Sequence, residues 1–92
     1  MSADQRRVEQ LESEIREILK VHGRVPTDID ALSPADDLFA LGMSSHASIS
    51  VMLALEEYFD IEFPDRMLNR RVFESIAAMR DAVIELKDQV SA

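Results

Sequence analysis

The sequence predicts an all-α fold, a four-helix bundle with three long helices, one short third helix and a long, packed first loop. Three observations predict it. Apolar residues recur at spacings of three and four along three separate stretches, the period of helices that bury one face. Only two glycines and three prolines occur in 92 residues, which leaves few tight turns. No stretch alternates apolar and polar residues as a half-buried strand does. The length suits a single domain, residues 1–92, that buries only about 60–65% of the surface its unfolded chain exposes.

The first helix is expected from about Ala3 to His22. Val8, Leu11, Ile15, Ile18 and Leu19 form its apolar stripe, and Arg6, Glu9, Glu12, Glu14, Arg16 and Glu17 fill the opposite face. Gly23 should end it as a C-cap, with Pro26 three residues on. Residues 23–43 then form one long connection. Pro26, Asp28, Asp30, Ser33, Pro34, Asp36 and Asp37 are turn formers. Val25, Ile29, Leu32, Leu38, Phe39 and Leu41 are more apolar side chains than a solvated loop needs. The segment therefore reads as a loop packed over the core, with a short helical turn near Asp36–Leu41. Connections this long are often functional.

The second helix should start near Ser44, with Ser44 or Ser45 as N-cap, and run to about Phe59. Ile49, Val51, Met52, Leu53, Leu55 and Phe59 give it a wide apolar arc, suited to the centre of a bundle. Glu56, Glu57 and Asp60 gather near its C-terminal end, where the helix dipole disfavours negative charge. Local helix physics does not ask for acids there, whereas a basic docking partner would. Asp60–Pro64 reads as an extended linker, because the residue before proline avoids the α region. Asp65–Arg71 reads as a short third helix with Met67 and Leu68 inward, after which Val72 and Phe73 enter the core. Ser75 caps a last helix from Ile76 to about Val90, with Ile76, Met79, Val83, Leu86 and Val90 facing in and Ser91 and Ala92 frayed.

Composition excludes several functions. Lys and Arg total 10 against 18 Asp and Glu, a formal net charge of −8. That balance argues against nucleic-acid binding, which needs a cationic footprint, and against docking on an anionic membrane. It favours a soluble monomer and partners with basic surfaces. No run approaches the roughly 18 apolar residues of a membrane span. The segment from Met1 to Arg7 has no apolar core of a secretion signal, so the cytoplasm is the expected compartment. There are no cysteines and only two histidines, His22 and His46. A thiolate nucleophile and a cysteine-ligated zinc are excluded.

Catalysis by the chain itself finds little support. Ser45 and His46 are neighbours, and adjacent helical positions do not face each other. Lys20 and Lys87, the two lysines, stand in no suggestive setting. Asp28, Asp30, Asp36 and Asp37 do not make a calcium loop. Counting from Asp28, Ser33 takes the place of the required glycine and Phe39 that of the closing glutamate. Turn formation accounts for these acids better. The informative stretch is Asp37-Leu38-Phe39-Ala40-Leu41-Gly42-Met43-Ser44-Ser45-His46. It delivers two serines to a helix N-terminus, where unpaired N–H groups and the dipole tolerate a phosphate ester. Serine is also a common N-cap, and the two roles are compatible if Ser44 caps while Ser45 points outward.

This stretch, together with Met52-Leu53-Ala54-Leu55-Glu56-Glu57-Tyr58-Phe59-Asp60-Ile61-Glu62-Phe63-Pro64-Asp65 and Val72-Phe73-Glu74-Ser75-Ile76, resembles the acyl carrier protein family over nearly the full chain. That family folds as a four-helix bundle with a short third helix. Its L-G-x-D-S-L run carries the serine that receives 4′-phosphopantetheine from coenzyme A, and the resemblance makes Ser45 that covalent attachment site. Two positions depart from the pattern. Ser44 stands where the motif has aspartate, a residue that helps the pantetheinyl transferase and its magnesium engage the carrier. His46 stands where a partner-contacting leucine is usual. The run Gly42-Met43-Ser44-Ser45-His46-Ala47-Ser48 is most similar to the bacterial aminoacyl carrier proteins. Those are charged by amino acid:carrier protein ligases that resemble a seryl-tRNA synthetase core.

The resemblance implies a carrier rather than an enzyme. An aminoacyl group would ride as a thioester on the arm, loaded by an ATP-dependent ligase. Partner contacts are expected at Ser44 and His46 beside the attachment point, and at the acidic Glu56, Glu57 and Asp60. They are also expected along a third-helix segment made locally basic by Arg66, Arg70 and Arg71, with Met67 and Leu68. A fatty-acid, polyketide or nonribosomal-peptide carrier is the nearest alternative. An unmodified acidic helical interaction module is the alternative of another class, and it would gain no mass with any transferase.

Overall fold

The computed structural model describes residues 3–91, and the side chains of residues 5–88. Helix α1 covers Ala3–Ile18 and continues as a wider π-helical turn over Leu19–Gly23. Leu11, Ile15, Ile18 and Leu19 are buried, as the stripe predicts. The terminator differs from the expected one. Arg24, at φ 51°, takes the left-handed conformation, not Gly23. Gly23 is buried instead, and a Cβ there would stand 3.2 Å from Leu19 Cδ2. Close packing, not backbone freedom, is what requires glycine at 23.

The long connection lies on the core as a set of short turns. A 3₁₀ turn, Ile29–Ala31, is opened by Asp28, whose carboxylate accepts the Asp30 N–H. The Asp37 carboxylate accepts the N–H groups of Phe39 (3.0 Å) and Ala40 (3.3 Å), and Leu41 N–H returns to the Asp37 carbonyl at 3.1 Å. This is the helical turn expected near Asp36–Leu41. Ile29, Leu38 and Met43 are buried, whereas Leu41, expected inward, is exposed. Two backbone bonds stitch the loop to the start of the last helix: Leu38 N–H to Glu74 O at 2.7 Å and Ala77 N–H to Pro34 O at 2.9 Å. From α1, Arg16 Nη1 donates to Ile29 O (2.6 Å) and Lys20 Nζ bonds Asp30 (2.7 Å). The loop therefore satisfies its buried polar groups without regular structure.

Helix α2, Ser45–Phe59, is the central element. Ala47, Val51, Leu55 and Phe59 are buried along one side. At its C-terminus Asp60 turns left-handed, and both Asp60 and Ile61 donate their N–H groups to Glu56 O. Ile61 then packs inward, the hydrophobic contact that accompanies such caps. Lys87 Nζ donates to the Phe59 carbonyl at 3.0 Å, placing a cation on the negative end of the helix.

The third helix is not the single Asp65–Arg71 segment that the sequence predicts. A 3₁₀ turn, Asp65–Met67, is followed by a break at Leu68–Asn69, and α3 is Arg70–Phe73. Asn69 makes the break, because its side chain accepts the Val72 N–H at 3.2 Å and caps the new helix. Met67 is buried as expected, but Leu68 is 46% exposed. Phe63 and Phe73 meet edge to face, 5.2 Å between centroids, which pins the linker to α3.

Helix α4, Ile76–Ser91, is capped by Ser75, whose hydroxyl accepts the Ala78 N–H at 3.0 Å. Ile76, Met79, Val83 and Leu86 face the core, with Ala82. Ser91 is helical where fraying was expected, while Ala92 and the Val90 side chain lie outside the described residues. Arg80 Nη1 and Glu12 Oε2, 2.6 Å apart, tie α4 to α1. Among the described residues there is no strand, and no helix is long and apolar enough to cross a membrane.

Candidate functional site

The paired serines are placed by the end of the first loop. Met43 is buried and its N–H bonds the Leu38 carbonyl at 2.9 Å, closing the turn. Gly42 has φ +115°, and a Cβ there would stand 2.8 Å from Pro26 Cδ. Only glycine fits that backbone and that contact. Ser44 follows in extended conformation, and its Oγ accepts the Ala47 N–H at 3.0 Å. Ser44 is thus the N-cap. Ser45, the first helical residue, is exposed, and its hydroxyl makes no hydrogen bond among the described residues. Ser48 Oγ donates to the Ser45 carbonyl at 2.6 Å and holds the first turn.

Beside Ser45 an open cavity of about 440 Å³ lies between α2, the first loop and the third-helix segment. Phe39, Ile49, Met52, Leu68 and Phe73 give it apolar walls, and Ser45 and Arg70 line it as well. The Arg70 guanidinium sits 4.3 Å above the Phe39 ring, a cation–π contact that fixes its position. Arg70 makes no ion pair among the described residues, whereas Arg66 is paired with Glu85 at 3.2 Å. The apolar arc of α2 is split. Val51 and Leu55 go to the core, while Ile49 and Leu53 are 54% and 55% exposed. These two were expected inside. They continue the face that carries Ser45, four and eight residues on.

The predicted site residues fall into separate groups. Ser44, Ser45 and His46 are exposed together at the start of α2, and Leu68 and Arg70 stand across the cavity from its first turns. Glu57 and Asp60 are exposed at the far end of α2, roughly 18 and 22 Å along the axis from Ser45 at about 1.5 Å per residue. Glu56 is occupied, its Oε2 accepting the Phe63 N–H at 2.9 Å. Its acid serves the α2 C-terminal turn. Met67, only 7% exposed, belongs to the core and offers little surface to a partner. Arg71 faces a shallow cleft towards Asp81 and Glu85 on α4, away from the Ser45 cavity. Sequence reasoning missed Phe39, Ile49, Met52 and Phe73 as site walls. For Ile49 and Met52 the signal was their spacing of four and seven from Ser45, which places all three on one helix face.

The acids of the first loop are spent locally. Asp28, Asp36 and Asp37 accept backbone N–H groups, and Asp30 pairs with Lys20. Hydrogen bonds to Asp30 and then Glu17 hold the exposed Lys20 ammonium well above its ordinary value. No group of carboxylates and histidines able to hold a metal ion occurs among the described residues.

Comparison with known proteins agrees with this geometry. The family described as a phosphopantetheine attachment site matches residues 9–82. The chain belongs to this carrier family. An aminoacyl carrier protein of Agrobacterium fabrum (strain C58) is 54% identical over 69 residues, covering 75% of this chain and 83% of that protein. The fold is also that of solved carriers. In a crystal structure of an engineered Bradyrhizobium japonicum glycine:[carrier protein] ligase complexed with carrier protein from Agrobacterium tumefaciens and ATP, the matched chain is 49% identical. Its TM-score is 0.79, with 82% of this chain and 97% of that chain covered. The corresponding AMP complex gives 51% identity, a TM-score of 0.77 and coverage of 79% and 97%. A solution structure of an Agrobacterium tumefaciens protein gives 48%, 0.68, 88% and 99%. The family is one of carriers, not of enzymes. The residues present fit the prosthetic group. A serine hydroxyl is exposed and uncommitted at the head of a 15-residue helix, and the neighbouring serine does the capping.

Proposed function

We propose that this carrier holds an aminoacyl group as a thioester on a 4′-phosphopantetheine arm fastened covalently to Ser45. The observation that carries the reading is the division between the two serines. Ser44 commits its hydroxyl to the helix and Ser45 keeps its own free. Attachment would join Ser45 Oγ to the phosphorus of coenzyme A that bears pantetheine. The pyrophosphate P–O bond breaks, adenosine 3′,5′-bisphosphate leaves, and the serine proton passes to a base of the pantetheinyl transferase. The arm supplies the thiol that the cysteine-free chain lacks.

The likeness to a carrier solved with a glycine:[carrier protein] ligase supports a loading partner of that kind, resembling a seryl-tRNA synthetase core. The exposed residues around Ser45, namely Ser44, His46, Ile49, Leu53, Leu68 and Arg70, are the surface such partners would meet first. Glu57, Asp60, Arg66 and Arg71 are outlying contacts for a larger footprint. Tethering raises the local concentration of cargo at a docked active site without the carrier entering it.

Intact mass after incubation with coenzyme A and a pantetheinyl transferase tests the reading. Wild type and Ser44→Ala should gain the mass of one arm, and Ser45→Ala should gain none. Arm transfer to Ser45→Ala would overturn the site. Loading of the holo-protein by fatty acyl groups, but by no amino acid with ATP and a ligase, would overturn the aminoacyl cargo.

A further inference from the structure

We propose that Glu17 and Asp30 guard Lys20 against acylation by the carrier's own cargo, which makes Lys20 a latent modification site of the loaded protein. The proposal rests on the aminoacyl thioester reading and adds what a loaded arm does to an unprotected chain. A neutral amine attacks a thioester at its carbonyl carbon. The lysine nitrogen bonds to that carbon, the carbon–sulfur bond breaks, and the departing thiolate takes the proton that the nitrogen loses. The products are an amide on the carrier and an empty arm. No other reactant is consumed, and the lysine can belong to the same chain or to another copy.

The cations of the chain are chosen and placed so as to limit this reaction. Of its 10 lysines and arginines, all but Lys20 and Lys87 are arginine. A guanidinium stays charged in proteins and offers no free amine, whereas lysine is ordinarily among the commonest residues. Lys87 is half-buried and its Nζ donates to the Phe59 carbonyl at 3.0 Å. Lys20 is the accessible amine, on the π-helical turn that packs against α2. Its Nζ stands 2.7 Å from Glu17 Oε2 and 2.7 Å from Asp30 Oδ2. The two carboxylates come from different elements, Glu17 from α1 and Asp30 from the 3₁₀ turn of the first loop. The ammonium is therefore bracketed from two sides. Exposed ion pairs add little to stability, so the bracket acts on the amine more than on the fold. Both acids hold the proton on the nitrogen, and each pH unit by which its release is postponed lowers the neutral amine about tenfold.

The test uses full-length protein whose arm is installed by a transferase from glycyl-coenzyme A. After incubation in mildly alkaline buffer, hydroxylamine strips the thioester and spares the amide, and peptide mass mapping locates the glycyl groups that remain. The chain's α-amino group, of ordinary pKa about 8, is the internal reference. Relative to it, glycylation of Lys20 should rise several-fold in Glu17→Gln/Asp30→Asn, and the thioester should be lost sooner than in wild type. Adding Lys20→Arg should restore the wild-type lifetime. Glu9→Gln/Glu62→Gln removes the same charge elsewhere and should leave Lys20 as in wild type. Equal glycylation of Lys20 in wild type and Glu17→Gln/Asp30→Asn, or an equal rise in Glu9→Gln/Glu62→Gln, overturns the guard and leaves the carrier reading intact. Failure of the chain to take up the glycyl arm overturns attachment at Ser45 and the guard with it.

Discussion

Replacing Ser44 separates two roles that the carrier motif combines in one position. In Ser44→Ala the helix loses the acceptor that satisfies the Ala47 N–H. Loss of a serine N-cap costs about 1 kcal/mol, and in a domain of this size that lowers Tm by about 4–8 °C. The loss is felt globally, because α2 carries Val51 and Leu55 into the centre of the core. Ser44→Asp keeps an acceptor at the cap and adds a negative charge at the positive end of the helix, a gain of about 0.3–1 kcal/mol at low salt. Thermal unfolding followed by circular dichroism should therefore rank aspartate at or above serine and serine above alanine. Added salt should narrow the gap between the first two. The aspartate is also the residue usual in the family motif, so Ser44→Asp should accept the arm faster in a time course read by mass. An unchanged Tm in Ser44→Ala, or a lower one in Ser44→Asp, would refute the capping argument. Equal modification rates would refute the transferase role.

Three further outcomes follow from the packing. Gly42→Ala forces a side chain onto φ +115° and into Pro26, and urea unfolding should show a loss of about 1–3 kcal/mol. Glu56→Ala should destabilise by roughly 1.5–3 kcal/mol, because the Phe63 N–H loses a charged partner. Glu57→Ala should stay within about 0.5 kcal/mol, and equal losses in the two variants would remove the structural role given to Glu56. Glu12→Gln should cost about 1–3 kcal/mol by weakening the half-buried pair with Arg80. The Arg80 guanidinium is raised above its ordinary value, first by its hydrogen bond to Glu12. A folded-state value above the unfolded one stabilises fully below the unfolded pKa and is lost only as pH rises through the folded one. The Arg80 contribution should therefore be flat across the neutral range, which denaturation at several pH values would check.

What the sequence could convey was set by how local each interaction is. Helices α1, α2 and α4 were legible because a stripe at spacings of three and four is written in consecutive residues, and so were the caps at Ser44 and Ser75, whose bonds span three positions. The third helix was legible as a helical segment but not in its division. That division depends on which way the Asn69 side chain turns, and both a continuous helix and a capped restart suit the same residues. The end of α1 was misread for a similar reason. Glycine is the usual left-handed terminator, yet Gly23 is needed for contact with Leu19 and the strained position passes to Arg24. The loop bonds from Leu38 to Glu74 and from Pro34 to Ala77 join residues about 40 apart and leave no local trace.

The apolar flank of α2 shows the same effect at the site. Hydropathy alone assigns Ile49 and Leu53 to the core, because nothing in a single helix records how much of its circumference neighbouring elements cover. Here the third-helix segment is broken at Leu68–Asn69, both of these residues line the cavity, and the uncovered strip of α2 begins at Ser45. The capping hydrogen bond of Asn69 therefore bears on the carrier surface as much as on α3. Asn69→Ala should remove that cap at a cost of about 1 kcal/mol, with chemical-shift changes at Ile49, Met52 and Phe39 across the cavity. A variant as destabilised as this, but with those three signals unmoved, would uncouple the break from the site.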